Sequence, residues 1–467
     1  MREDLRRRLR ELGVVRGARN LGILTSDRPS HTNATLVHPE AEAGPFHVDI
    51  EDLVPGHFHT TSHGQCFVTE TTYPLDHLHG NLPLSSYLDL HPGIIAQIGQ
   101  EDQLSNVDLR RICFLDTETT GLSGGTGTMA FVVGLCFFAD ECVHVRQYFL
   151  RDPGDEPAMI EALAEFLPEF EALASFNGRA FDVPILENRF TLARIPPPTA
   201  DLPHLDLLHP ARRLWQYHLA SCSLGTIEQR ILGVLREQDD VPSGFIPYLY
   251  RDYLRTGDAR EMKRVLYHNT VDVLSLVTLT IQLCRTFSNP WGGLETGTRL
   301  SGAELFGIGR WYTALGRIAE AERAYRAALG TCPPGQAVSP NVPINTKTPD
   351  LRTKVLRGIG YLLKRDGRRA EALAYWQQLA LEADTDILAY VEMAKYFEWY
   401  VADLVLAAGW TRAAMARVEN WPAGTHRHAT LAELRHRLAR LERKIDKSHA
   451  FDNEPEDDDY SASRNHP

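Results

Sequence analysis

The chain of 467 residues predicts an α/β domain followed by an all-α domain. Three observations carry this. Between residues 108 and 290, short apolar runs of strand length alternate with longer helix-periodic segments. From about residue 300 the composition turns alanine-rich and helical. Within that part, Gly316-Arg-Ile-Ala-Glu-Ala321 recurs as Gly367-Arg-Arg-Ala-Glu-Ala372. The expected organisation is a partly structured N-terminal extension over 1–107, the α/β domain over 108–290, a helical domain over 300–445 and a disordered acidic tail over 446–467.

Residues 1–20 read as a basic, partly amphipathic helix with a thin stripe of Leu5, Leu9 and Leu12, a solvated arm rather than a nucleic-acid arm. Residues 21–100 are rich in His, Pro and Gly, with a strand-like run at Cys66–Glu70. His57, His59, His63, His77 and His79 could suggest a metal site, but no Cys pair or His-Glu-x-x-His pattern supports one. Strands are expected at Ile112–Leu115, Met129–Phe138 and Cys142–Leu150. The glycine-rich stretch Gly121–Gly127 lacks the Gly-Lys-Ser/Thr ending of a phosphate loop and leads into a strand, so it reads as a hairpin beside the site. A helix over Glu156–Glu171, a strand at Leu173–Phe176, a loop at Arg194–Pro198 and a strand at His204–Leu208 follow. Ser223 is a candidate N-cap for a helix over Leu224–Leu232. A long helix is expected over Glu261–Cys284.

Three acidic motifs stand on these elements. Asp116 and Glu118 follow the first strand two residues apart, which puts both side chains on one face. Alone, such a pair is as readily turn chemistry. Asp182 lies where the strand at 173–176 passes into a helix, near a positive helix end, as cap, ligand or both. Asp272 lies four residues after His268, about 40° around the helix, whereas Tyr267 is about 140° away. His268 suits a general base, although a His one turn from an Asp is often a simple helix pair. The three motifs are separated by 66 and 90 residues, counted from Asp116 to Asp182 to Asp272. Four carboxylates of this kind suit Mg²⁺ or Mn²⁺. Two such ions about 4 Å apart hold the attacking and leaving oxygens of a phosphodiester. Asp206 could be a fifth acid or a turn residue. Tyr248, Tyr250 and Tyr253, interleaved with Arg251 and Arg255, suit either single-stranded nucleic acid or an ordinary amphipathic helix.

The runs Asp116-Thr-Glu-Thr-Thr-Gly-Leu122 and Asn177-Gly-Arg-Ala-Phe-Asp-Val-Pro184, with Ser223-Leu-Gly-Thr-Ile-Glu228 and His268-Asn-Thr-Val-Asp272, resemble the ribonuclease H-like, four-acid (DEDD) 3′–5′ exonuclease superfamily. Within it they are most similar to the YprB-type family, which tends to carry helical repeats downstream. The resemblance covers about residues 110–285. It implies a mixed sheet flanked by helices and a nucleic-acid substrate. It further implies two Mg²⁺ or Mn²⁺ ions on Asp116, Glu118, Asp182 and Asp272, with His268 as the water-activating residue. Thr119, Gly121, Leu122 and Asn177 would contact substrate. Members of the superfamily carry Tyr four residues before the last Asp or His five before it. Here His268 is at four and Tyr267 at five, and helix geometry favours His268. The 51-residue offset from Gly316 to Gly367 exceeds a tetratricopeptide repeat of about 34 by a Pro/Asn-rich insert around Cys332–Asp350. The helical domain is expected to bind a protein partner, the alternative being a helical cap packed on the α/β core.

The net charge of −12 argues against a high-affinity, non-specific nucleic-acid binder, although a local groove can differ. No secretory signal and no continuous apolar stretch of membrane-spanning length is evident, so a cytoplasmic location without membrane partners is expected. The seven cysteines are scattered, and Cys113 and Cys136 read as buried free thiols. The function expected is a metal-dependent nuclease. The alternatives are a weakly active or inactive nucleic-acid-binding module whose repeats recruit a partner, and an adaptor dominated by its repeats.

Overall fold

Apolar, β-branched and aromatic runs set the sheet. The structure, a computed structural model, describes residues 48–121, 127–236, 240–292, 299–332, 351–383 and 386–452. The expected N-terminal helix, Leu122, the insert around 333–350 and the tail beyond 452 lie outside the described residues. In chain order come α1 (Ile50–Leu53), β1 (His57–Thr61), β2 (Gly64–Pro74), a small hairpin of β3 (Leu78–His79) and β4 (Leu82–Pro83), and α2 (Pro92–Gly99). Then follow β5 (Ile112–Thr119), β6 (Ala130–Ala139), β7 (Cys142–Phe149), α3 (Glu156–Phe166), β8 (Ala172–Ser175), α4 (Asp182–Leu192), β9 (His204–Asp206) and α5 (Leu208–Trp215). The α/β part ends with α6 (Leu224–Ile227), α7 (Ile246–Thr256) and α8 (Arg260–Ser288). The helical part is α9 (Gly302–Ala314), α10 (Ile318–Gly330), α11 (Leu351–Arg365), α12 (Arg369–Glu382), α13 (Leu388–Tyr396), α14 (Leu404–Glu419) and α15 (Thr425–Asp452).

Seven strands form one mixed sheet in the order β1-β2-β7-β6-β5-β8-β9. The strands from β1 to β5 pair antiparallel, while β5-β8 and β8-β9 pair parallel. The central β6 is buried at nearly every position, as a continuous apolar run predicts for a strand covered on both faces. One apolar cluster joins Phe114, Cys136 and Phe138 to the second half of α8 and on to the helical region. The other joins Leu115, Phe131 and Leu135 to α3, α4, α7 and the first half of α8. By length and hydropathy α8 could cross a membrane, but 78% of its apolar window is buried here, as in a core helix. That corrects the expectation that no such stretch exists. Cys113 and Cys136 are buried free thiols, as expected.

Several boundaries differ from expectation. β5 runs on to Thr119, so Asp116 and Glu118 lie inside the strand rather than beyond it. The helix expected over 156–171 gives way at Phe166 to a 3₁₀ turn, Leu167–Glu169, holding Pro168. The strand at 204 ends at Asp206, and α5 begins two residues later. The segment expected as one helix over 224–232 is α6 followed by a π turn, Glu228–Leu232. Ser223 holds the N-cap position, but its Oγ meets Thr226 Oγ1 at 2.9 Å. The tyrosine-arginine stretch is mostly an amphipathic helix. Tyr250 stacks on Phe131 with ring centroids 3.9 Å apart and donates its hydroxyl to Leu150 O, and Tyr253 packs on Phe149. Tyr248 stays exposed, with Arg251 over its ring.

From α9 onward each helix packs on the next. α9 begins with a Ser301/Glu304 capping box. The recurring hexapeptides occupy equivalent turns: Gly316 and Gly367 both take positive φ, +73° and +84°. Each is followed by an Arg–Glu ion pair, Arg317–Glu320 and Arg368–Glu371. α9 seats on α5, where a Cβ on Gly307 would lie 2.7 Å from Leu214 O, and Trp215 Nε1 donates to Glu304. α15 extends through Asp452, past the expected domain end at 445.

One close approach sets where α8 crosses the sheet. A Cβ on Gly134 would lie 2.0 Å from Asn269 Oδ1. Gly134→Ala is therefore expected to lower stability by about 1–3 kcal/mol, the range for overpacking a filled core. Urea denaturation checks this; an unchanged midpoint would mean that α8 retreats freely from β6.

Candidate metal centre

The sheet and α8 bring the predicted acids together. On β5, Asp116 pairs across from Gly134 and Glu118 from Val132, and the register slips between Glu118 and Thr119. Gly134 leaves room for Asn269 of α8, which is fully buried. Asn269 Nδ2 donates to Asp116 Oδ2 at 2.9 Å and to Asp116 O at 3.3 Å. Its Oδ1 accepts from Gln147 Nε2 at 2.8 Å, and Gln147 also donates to Leu266 O. One amide thus aims a carboxylate and fixes the helix that carries Asp272.

Asp182 is the first residue of α4, with Phe181 at the N-cap position. Its Oδ1 accepts from Thr117 Oγ1 at 2.5 Å. The loop before it needs Asn177 at φ +69° and a residue without a side chain at 178, where a Cβ would lie 2.3 Å from Ser175 Oγ. Asp206 accepts from the backbone N–H of Asn177, Arg179 and Leu208, so its carboxylate is committed to this turn. Thr119 Oγ1 donates to Gly121 O, shaping the exit from β5. Asn177 is exposed at the loop.

His268 and Asp272 share a face of α8, with His268 Nε2 3.6 Å from Asp272 Oδ2. Tyr267 packs on the other side, against the apolar cluster. One ligand atom each from Glu118, His268 and Asp272 lie within 4.8 Å of one another. The N-terminal histidines form no such group among the described residues. His59 and His63 pair with Glu165 and Glu161, and His79 bonds Ser275.

Burial pushes the Asp116 and Glu118 carboxyls well above the usual range, and the charges of Asp272 and Asp182 add to this. Burial likewise raises Asp182 to about 6, against the bond from Thr117. Such a cluster favours a cation on its oxygens. An all-carboxylate set with one imidazole nearby fits Mg²⁺ or Mn²⁺.

Sequence reasoning missed Arg236. Its Nε and Nη2 donate to Glu228 at 2.7 and 2.8 Å, a bidentate pair on a nearly fully buried carboxylate. Nη2 also donates to Asp272 Oδ1. Nη1 lies 2.9 Å from His268 Nδ1 and 3.4 Å from Asp240 Oδ2. Asp240 Oδ1 in turn lies 2.8 Å from His268 Nδ1. We assign the Nδ1 hydrogen to the Asp240 bond, because a carboxylate is a strong acceptor. That leaves Nε2 unprotonated, accepting from Ser243 Oγ at 3.2 Å, with the Asp272 carboxylate beside it. The available signal was the run of opposite charges Glu228, Arg236 and Asp240 ahead of the long helix.

The raised Asp182 carboxyl has a consequence for metal-free protein. Between its ordinary pKa of 3.8 and its folded value of about 6, the folded state holds a proton that the unfolded state releases. Stability in EDTA should fall as pH rises through this window, and Asp182→Asn should flatten the fall. Thermal melts from pH 4.5 to 7.5 check it; equal slopes for both proteins would contradict the assignment.

The sequence pattern of the RNase_H superfamily matches residues 113–284, the span of β5 through most of α8. Over 342 residues the chain is 31% identical to YprB, an uncharacterized protein of Bacillus subtilis (strain 168), covering 71% of this chain and 76% of that protein. A mixed sheet of this order, the matched pattern and this identity together place the chain in one family: it belongs with YprB and carries an RNase H-superfamily domain.

Proposed function

We propose that the chain is a metal-dependent nuclease that hydrolyses phosphodiesters of DNA or RNA, acting as a 3′–5′ exonuclease with two divalent ions. The observation that carries this is the convergence of Asp116, Glu118, Asp182 and Asp272 from three distant segments, with His268 beside them. These four carboxylates would hold Mg²⁺ or Mn²⁺. When bound, the ions would supply Lewis-acid stabilisation of phosphoryl charge and a more acidic water. His268, oriented through Nδ1 by Asp240, takes a proton from the attacking water at Nε2. Asn269 keeps Asp116 aimed, and Thr117 does the same for Asp182. Thr119, Gly121, Leu122 and Asn177 would contact the substrate, a role that rests on the resemblance of the motifs. The direction of cleavage rests on the resemblance of the motifs to four-acid exonucleases. The helical region serves as a tetratricopeptide-like surface for a protein partner. Free buried thiols suit a reducing, cytoplasmic setting.

One observation favours a second reading, a weakly active nucleic-acid-binding module: Arg236 bonds Asp272, one of the four acids. Cleavage assays separate the two. Wild type and the double variant Asp116→Ala/Glu118→Ala are compared on 3′- and 5′-labelled single-stranded DNA and RNA, with Mn²⁺, Mg²⁺ or EDTA. The expected outcome is metal-dependent cleavage that falls to background in the variant while its thermal melt stays cooperative. Retained cleavage in the variant would sink the site assignment. Inert wild-type protein would favour the module.

A further inference from the structure

The helical region carries a charge and a surface that the metal centre does not use. Residues 300–452 hold 22 Lys and Arg against 17 Asp and Glu, in a chain whose net charge is −12. Another π turn, Phe397–Val401, follows α13 and leads toward α14. Its Trp399 is 65% exposed and its Tyr400 58%, and Val405 in the first turn of α14 is 64% exposed. Single exposed apolar side chains need no explanation, but neighbours of this size mark a contact surface.

Tyr400 borders a cleft between α11, α12 and α13. There the Arg369 guanidinium stands 4.4 Å from the Tyr400 ring centroid, and its Nε is buried without a hydrogen-bond partner among the described residues. Lys364 and Lys395 line the same cleft, and both donate to Glu392, whose side chain is 4% exposed. Three cations thus meet one carboxylate. A buried donor left unpaired costs about 1–3 kcal/mol. The cleft is short of an acceptor, and the surplus positive charge selects an anionic one.

The chain itself carries such an acceptor close by. Glu398 in the π turn accepts from Arg437, Arg440 and Lys444 of α15, and Lys444 Nζ lies 5.8 Å from the Trp399 ring centroid. α15 ends at Asp452, eight residues and about 12 Å past Lys444. The sequence continues, outside the described residues, as Asn453-Glu-Pro-Glu-Asp-Asp-Asp-Tyr460, with five acids in six positions. Seven residues from 453 reach about 25 Å when extended, enough to double back along the last turns of α15 to the π turn.

We propose that this acidic segment, residues 453–460, docks on the helical region of its own chain. Its carboxylates meet Arg369 and the two lysines, and its apolar atoms cover Trp399 and Val405. This deepens the reading of the helical region as a protein-binding surface, and it is independent of the metal centre. The segment is then a resident occupant, and an outside partner must bring the same chemistry, an acidic linear peptide, to displace it. A short tether supplies an effective concentration on the order of 1 mM, which favours the resident.

The test is fluorescence anisotropy with a labelled peptide of residues 452–462, on full-length protein in EDTA without nucleic acid. One protein is wild type. The other is Glu454→Gln/Glu456→Gln/Asp457→Asn/Asp458→Asn/Asp459→Asn, which changes nothing in the described fold. The neutral-tail variant is expected to bind the peptide with a Kd on the order of 10–100 µM, weakening as salt rises. Wild type should bind it at least ~10-fold more weakly, because its own tail competes. Adding Arg369→Gln or Trp399→Ala to the neutral-tail variant should cost at least ~5-fold each. Equal binding by wild type and the neutral-tail variant would overturn the tail as occupant while leaving a site for outside partners. No binding by the neutral-tail variant would overturn the acidic ligand as well. Binding unchanged by Arg369→Gln and Trp399→Ala would overturn the location. A wild-type dimer in sedimentation that the neutral tail dissolves would move the segment to a second copy and overturn the contact within one chain.

Discussion

Four carboxylates held together in a largely buried cluster is the constraint on which the rest of this structure depends. Each unpaired buried charge costs several kcal/mol, and here the acids come from β5, α4 and α8. The chain compensates only in part. Asn269 and Thr117 supply neutral hydrogen bonds, and one guanidinium meets Asp272. What is left uncompensated is visible as raised carboxyl pKa values at Asp116, Glu118 and Asp182, driven first by burial. A protein that aimed only at stability would have no reason to keep this arrangement, so the cluster argues for a cation-dependent task.

The helix α8 links that task to the rest of the molecule. Its first half packs in the cluster with Phe131 and Tyr250, and its second half in the one that continues through Trp311 and Tyr312. Tyr312 donates its hydroxyl to Phe287 O near the end of α8, and α9 seats on α5. A shift of the helical region therefore bears on the same rod that carries His268, Asn269 and Asp272. The contact of Asn269 with Gly134 fixes the depth of that rod against the sheet, leaving rotation and sliding as the costly motions.

The acids were legible because their spacing is local. Period two on a strand and a four-residue step on a helix are short-range patterns, and the apolar runs that carry them are unambiguous. The strand boundary was misjudged because Asp116 and Glu118 look like a strand's end. They stay within β5 because the Asn269 amide, 153 residues away, satisfies Asp116. Tyr250 and Tyr253 left a stacking platform and an amphipathic helix equally open, because sequence gives helix spacing without saying which face meets Phe131 and Phe149. Arg236 was invisible for a related reason. Its partners Glu228, Asp240 and Asp272 converge through a π turn and a non-periodic segment, and neither leaves a repeating signature. The helical part was legible through its turns, since Gly316 and Gly367 need the same positive φ.

A nuclease with this charge would face a problem of order. Around the centre stand the carboxylates of Asp116, Glu118, Asp182, Asp272, Glu228 and Asp240, and the guanidinium of Arg236 pairs with Glu228, Asp240 and Asp272. In the absence of further cations this surface repels a phosphodiester, and the net charge of −12 gives no long-range attraction to offset that. Divalent ions invert the local sign. The same ions that serve the chemistry would thus also be the condition for binding, and affinity for nucleic acid and affinity for metal become linked quantities. Arg236 sits at the point of that linkage. It lowers the repulsion in the metal-free state and holds the acids together at less cost.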